Sequence, residues 1–165
     1  MKLIFLDVDG VLNCVETRVR APSGVIGVED DKLLRLKQIV DETGAKVVLT
    51  STWKTTYYPG QPLEDMPSDG QYLIKKLHAH KIPLIGKTED PTWARRGKGI
   101  LDFINHFPQN VESFVILDDE RFDFEYEGID DKHVKTFYTK RTPETLLGLQ
   151  EHHVEKAISI LNASK

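Results

Sequence analysis

Short, mainly apolar runs recur along the chain at residues 3–6, 46–49, 82–85, 114–117 and 133–137, each with the length and composition of a buried strand. Between them the apolar positions shift to a helical period. Leu33, Leu36, Ile39 and Val40 predict a helix that Asp30 or Asp31 can cap, running to about Thr43 with Gly44 as its stop. Leu73, Leu77 and Ile74 predict a second over 70–80, capped by Asp69. Ile100, Leu101, Phe103 and Ile104 form the apolar face of a third, which begins in the basic run Arg95-Arg96-Gly97-Lys98. Val154, Ala157, Ile158 and Leu161 belong to a last helix that starts after Gly148, or at Thr142-Pro143 if proline takes the first helical position. Alternating strands and helices predict a three-layer, Rossmann-like α/β fold, a parallel sheet of about five strands with helices on both faces.

Two stretches break this alternation. Residues 13–29 hold Pro22, Gly24 and Gly27 and predict a loop or small hairpin flap. Residues 57–70 carry Pro59, Gly60, Pro62, Pro67 and Gly70, a turn-rich insertion expected over a surface or over the ligand crevice, with Tyr57 and Tyr58 either covering apolar surface or offering a stacking face. No repeat or linker divides the chain, so residues 1–165 are expected to form one domain.

Composition adds limits. With 39% apolar and 29% charged residues the chain is typical of a soluble globular protein. The single Cys14 excludes an internal disulfide framework and a cysteine zinc cluster, and suits a reducing cytosol. The first apolar run is too short for a secretory signal or a membrane span. A net charge of −4 argues against a protein that coats nucleic acid, while leaving a local basic groove open.

The candidate chemistry lies where strands stop. Asp7 and Asp9, followed by Gly10, end the first run; Thr50 and Ser51 end the second; Asp118 and Asp119 end the fourth. In an open α/β sheet that edge is the ligand crevice. Aspartates in a turn or at a helix cap, and hydroxyls capping whatever follows a strand, are the plain structural alternatives. Carboxylates converging in a dry crevice repel one another unless a cation sits between them, and Mg²⁺ with oxygen ligands is the ready answer. A hydroxyl and a basic side chain would then hold phosphoryl oxygens. Cations at the start of the third helix oppose its dipole, which points to an anionic ligand there.

These residues resemble the haloacid dehalogenase (HAD) superfamily of phosphohydrolases. Asp7-Val8-Asp9-Gly10-Val11 is similar to the first motif of that superfamily, Val47-Val48-Leu49-Thr50 to the second, a base at Lys98 or Arg96 to the third, and Val115-Ile116-Leu117-Asp118-Asp119 to the fourth. The run Leu-Thr-Ser-Thr-Trp-Lys, with Arg-Arg-Gly-Lys-Gly-Ile and Leu-Asp-Asp-Glu-Arg, most resembles the small HAD domains of RNA-repair proteins. It departs from them at Lys54, where Arg is usual, and at Gly99, where an acid is usual. The resemblance implies a phosphatase with minimal or no cap domain and a rather open site. Asp7 would be the nucleophile and Asp9 the general acid and base. Asp7, the Asp9 carbonyl, Asp118 and Asp119 would hold Mg²⁺, and Thr50 or Ser51 with Lys98 or Arg96 would bind phosphate. The implied substrate is a phosphorylated small molecule or macromolecular end, with 3′ or 5′ polynucleotide ends as the alternative that net charge does not favour. A response-regulator receiver shares the residue types but not their order along the chain. A domain that binds phospho-ligands without catalysis is the remaining reading.

Overall fold

The computed structural model describes residues 1–163. Strands β1 (Lys2–Leu6), β2 (Lys46–Leu49), β3 (Leu84–Lys87), β4 (Ser113–Asp118) and β5 (His133–Lys135) form one all-parallel sheet in the order β3-β2-β1-β4-β5. The helices are α1 (Asp30–Thr43), α2 (Ser68–Ala79), α3 (Arg96–His106) and α4 (Glu151–Asn162). Successive strands step outward from β1 to β3, and then the chain returns to lay β4 on the other side of β1. The carboxyl ends of β1 and β4 therefore flank the point where strand order reverses, the place such sheets bind ligands.

The period-two pattern of the strands decides what covers each face. Ile4 and Leu6 of β1 point with Val47, Leu49, Val115 and Leu117 into a core closed by α1, α2 and α4. Leu3 and Phe5 point the other way, with Val48 and Ile116, against Ile100 of α3. Phe5 meets Phe103 and Phe114 edge-on, each at 5.8 Å. Both faces of β1 are thus dry, which is why its sequence is a continuous apolar run.

Local details differ from the sequence expectation: β5 stops at Lys135, two residues short of Phe137, and three further places depart from it. Pairing of β3 starts at Leu84, two residues later than expected, because Lys81 turns the chain at φ 55° and Pro83 has no N–H to give to a ladder. Glu29, not Asp30 or Asp31, stands at the N-cap of α1, and the two aspartates occupy its first turn, where they favour the dipole. Pro67 precedes α2, so Asp69 is free to bind Ser23 of the 13–29 segment, accepting from its N at 2.9 Å and its Oγ at 2.5 Å.

That segment is a loop with one antiparallel bridge, Arg20 to Ile26, stitched to α2 by the Val28 N–H donating to the Tyr72 hydroxyl. The 57–70 stretch buries Tyr57 and Met66 in the core that holds α2, rather than roofing the crevice. Among the described residues no cap domain stands over the carboxyl edge of the sheet, and no helix is long and apolar enough to cross a membrane.

Candidate active site

The site is assembled by strand ends that overlap by one hydrogen bond. Asp7 N donates to Leu117 O and Thr50 N to Leu6 O, both at 2.9 Å, so the residues just past β1, β2 and β4 share one rim. Beyond Asp7 the chain turns sharply at Gly10, φ 88°, a conformation that favours glycine. A Cβ there would lie 2.5 Å from Asp119 Cγ, so the turn also needs glycine to admit that carboxylate. Thr136, just past β5, donates its hydroxyl to Gly10 O at 2.5 Å and its N–H to Asp118 O at 3.1 Å. One residue thereby holds the first and fourth motifs together.

Asp7, Asp118 and Asp119 bring carboxylate oxygens within 4.8 Å of one another. Burial first, then the neighbouring Asp118 charge, pushes the Asp7 carboxyl up from 3.8 to about 7. Burial and the Asp7 charge do the same to Asp119, also to about 7, and burial raises Asp118 to about 6. Among the described residues the cation in ion-pair contact with their carboxylates is Arg96, whose Nη1 lies 2.7 Å from Asp118 Oδ2 and 3.4 Å from Asp7 Oδ1. Its guanidinium carbon lies over the Phe122 ring at 4.3 Å. Lys135 adds a second cation at the edge, donating from Nζ to the Asp119 carbonyl at 3.1 Å, so two cations face three carboxylates, of which Asp119 is half-buried, and the cluster remains short of positive charge. The hard oxygen donors, their convergence and this charge deficit fit a divalent cation such as Mg²⁺.

Each of the other expected site residues has a distinct place. Asp9 lies outside the carboxylate group: its Oδ1 accepts from Asn13 Nδ2 at 2.9 Å and from Trp53 Nε1 at 3.4 Å. Thr50 is fully buried and its Oγ1 has no hydrogen-bond partner, an unusual state for a buried hydroxyl. Ser51 Oγ is already engaged, accepting from Trp53 N at 3.2 Å at the start of a short 3-10 turn, Thr52–Thr56. Lys98 is over a third exposed and pairs with Asp102 at 2.6 Å on its own helix. Arg96, not Lys98, is therefore the base that lies with the carboxylates.

The basic start of α3 carries its own anions. Asp123 accepts from Gly97 N at 2.6 Å and Lys98 N at 3.2 Å, capping the helix from a distant loop, and Arg95 pairs with Glu127 at 3.4 Å. Arg95 and Lys98 are thus balanced within the chain, by Glu127 and Asp102. The departures at Lys54 and Gly99 are coupled as well. A Cβ on residue 99 would lie 2.1 Å from Asp90 Oδ1, so glycine admits Asp90 against α3, and Lys54 Nζ binds the other Asp90 oxygen at 2.5 Å.

Asn13, Asp123 and Thr136 have no site role in the sequence reading, and Trp53 enters it only within the Leu-Thr-Ser-Thr-Trp-Lys run. Asn13, four residues after Asp9 in the same turn, carried a local signal; the others reach the site only through the fold.

Comparison with curated proteins and with solved structures returns no match. Residues 3–154 match the family described as the HAD domain in Swiss Army Knife RNA repair proteins, a span that takes in every element from β1 into α4 and all the carboxylates above. The chain belongs to that HAD family.

Proposed function

We propose that the chain is a Mg²⁺-dependent phosphomonoester hydrolase that works through a phosphorylated Asp7. The observation that carries this reading is the buried Asp7, Asp118 and Asp119 group at the reversal of strand order, short of positive charge. Asp7, Asp118, Asp119 and the Asp9 carbonyl would hold Mg²⁺, which when bound supplies the positive charge that phosphoryl transfer requires.

The rest follows from the side chains. The Asp7 carboxylate attacks phosphorus and forms an acyl phosphate as the ester P–O bond breaks. Asp9 gives its proton to the departing ester oxygen, then takes one from the water that attacks the acyl phosphate, freeing inorganic phosphate and restoring Asp7. Asn13 and Trp53 fix Asp9 through Oδ1, which leaves Oδ2 for the proton. The unpartnered Thr50 hydroxyl and the Arg96 guanidinium are the protein's own donors to phosphoryl oxygens.

The family match to RNA repair proteins favours a nucleic-acid end, 3′ or 5′, as the phosphorylated substrate. We read the chain as one hydrolase domain acting in the reducing cytosol that suits its free, buried Cys14. The test is hydrolysis of an aryl phosphate with Mg²⁺, with EDTA, and by Asp7→Asn. Activity that needs Mg²⁺ and disappears in Asp7→Asn supports the mechanism. Absence of activity on aryl and oligonucleotide phosphates, together with no beryllofluoride-dependent rise in Tm, refutes it.

A further inference from the structure

Arg96 also lines a cleft of about 780 Å³, together with Trp93 and Phe122. Trp93 is 82% exposed, extreme for so large an apolar side chain, and nothing in the described chain covers it. Its ring meets Phe122 edge-on at 6.5 Å, and Phe122 in turn contacts the Arg96 guanidinium at 4.3 Å. One aromatic ring therefore separates the exposed indole from the cation beside Asp7. Arg96 and Trp93 line the same cleft, so a phosphate held at Arg96 can place its organic part in it.

The charges of the cleft say what that part can be. Lys54 is neutralised by Asp90 at 2.5 Å and Arg96 by Asp118 at 2.7 Å. Glu89 and Glu120 also line the cleft, and among the described residues neither forms an ion pair. The surplus is negative, so a second phosphate or an acidic peptide is repelled there. Thr52 and Thr92 add hydroxyls to the lining. A flat, uncharged group with hydrogen-bonding edges meets all three conditions: an open aromatic face, negative potential, and polar donors and acceptors around it.

We propose that this cleft is a nucleobase subsite, with the Trp93 indole as its stacking face, so that the nucleotide bearing the scissile phosphate is read by stacking rather than along a basic track. The subsite rests on the phosphohydrolase reading above, and adds to it that the group next to the phosphate is a base. It also accounts for the acidic lining, which a phosphate-tracking groove would not have.

The test is titration calorimetry on the Asp7→Asn protein with Mg²⁺, comparing adenosine 5′-monophosphate, ribose 5-phosphate and phosphocholine. The nucleotide is expected to bind about tenfold more tightly than ribose 5-phosphate, the share a stacked base contributes. Trp93→Ala should bring that ratio within about twofold, and Trp93→Phe should restore most of it. Because Trp93 is a surface residue, neither change threatens the fold. Equal binding of nucleotide and sugar phosphate, an unchanged ratio in Trp93→Ala, or tighter binding of the cationic phosphocholine would overturn the subsite while leaving the phosphate site standing. Failure of all three ligands to bind would overturn the phosphate site itself, and the subsite with it.

Discussion

Exchanging Asp119 for Asn is expected to stabilise the metal-free protein while removing its response to Mg²⁺. Burial and the facing Asp7 charge push the Asp119 carboxyl from 3.8 to about 7. The folded chain thus holds that proton more tightly than the unfolded one. Its stabilising contribution is complete below about pH 4 and is lost as the pH rises through about 7. At about pH 8 the ionised carboxylate costs the folded state about 4 kcal/mol, at about 1.4 kcal/mol per pH unit, and about half of that once partial exposure lets water screen it. In a chain of 165 residues, about 2 kcal/mol corresponds to a Tm difference of about 4–8 °C. Calorimetric melts in EDTA should show the variant equal to wild type near pH 4 and higher near pH 8. Mg²⁺ at about a hundred times its Kd should then raise the wild type by about 2.7 kcal/mol and the variant by much less. A variant that melts below wild type at the higher pH in EDTA, or an equal Mg²⁺ shift in both proteins, would refute the carboxylate cluster as a repulsive, metal-seeking site.

Arg96→Met strips Asp118 and Asp7 of their buried counter-charge and is expected to cost about 3–5 kcal/mol near pH 8 in urea melts and at least about 100-fold in kcat. Lys98→Ala loses only an exposed pair with Asp102, so stability should change by no more than about 0.5 kcal/mol and kcat by less than about twofold; a larger kcat loss would move the phosphate contact to Lys98. Thr50→Val deletes a hydroxyl the fold does not use and should alter stability by less than about 1 kcal/mol while lowering kcat/KM about tenfold or more. Ser51→Ala should instead cost about 1 kcal/mol, through loss of its cap to Trp53 N. His153 is pushed down from 6.5 to about 4 by burial and the nearby His152 and Lys156, and its Nδ1 accepts from Gln150 N at 2.9 Å at the start of α4. Its contribution is therefore full above about pH 6.5 and falls by up to about 3 kcal/mol as the pH drops toward 4; melts across that range should steepen in wild type and flatten in His153→Gln, whose amide oxygen can still accept.

The pattern of the chain carries the architecture because the central strands β1, β2 and β4 are buried on both faces and give way to charged or hydroxyl residues at their carboxyl ends. Asp7, Thr50, Asp118 and Asp119 come together for that reason: three neighbouring parallel strands stop at one rim, and their next residues face one crevice. The choice between Arg96 and Lys98 lay in the helix itself. Arg96 is one turn before Ile100, which is fully buried, so the two share the inward face; Lys98 is one turn before Asp102, which puts that pair outward. Reading α3 by its phase rather than by the proximity of its cations separates the two residues. Other parts of the site have no local signature. Trp53 meets Asp9 across 44 residues, Asp123 caps a helix that starts 27 residues earlier, and Thr136 closes on Gly10 across 126. The same holds for the two departures from the RNA-repair pattern, which look like independent losses in a linear reading. In the fold the missing side chain at Gly99 is the space that Asp90 fills, and Lys54 is the cation that Asp90 binds, so an acid is still present against α3 and is supplied from a different strand end. Charge balance at this rim is a property of the folded neighbourhood, and a substitution at any one of these positions acts through the other two.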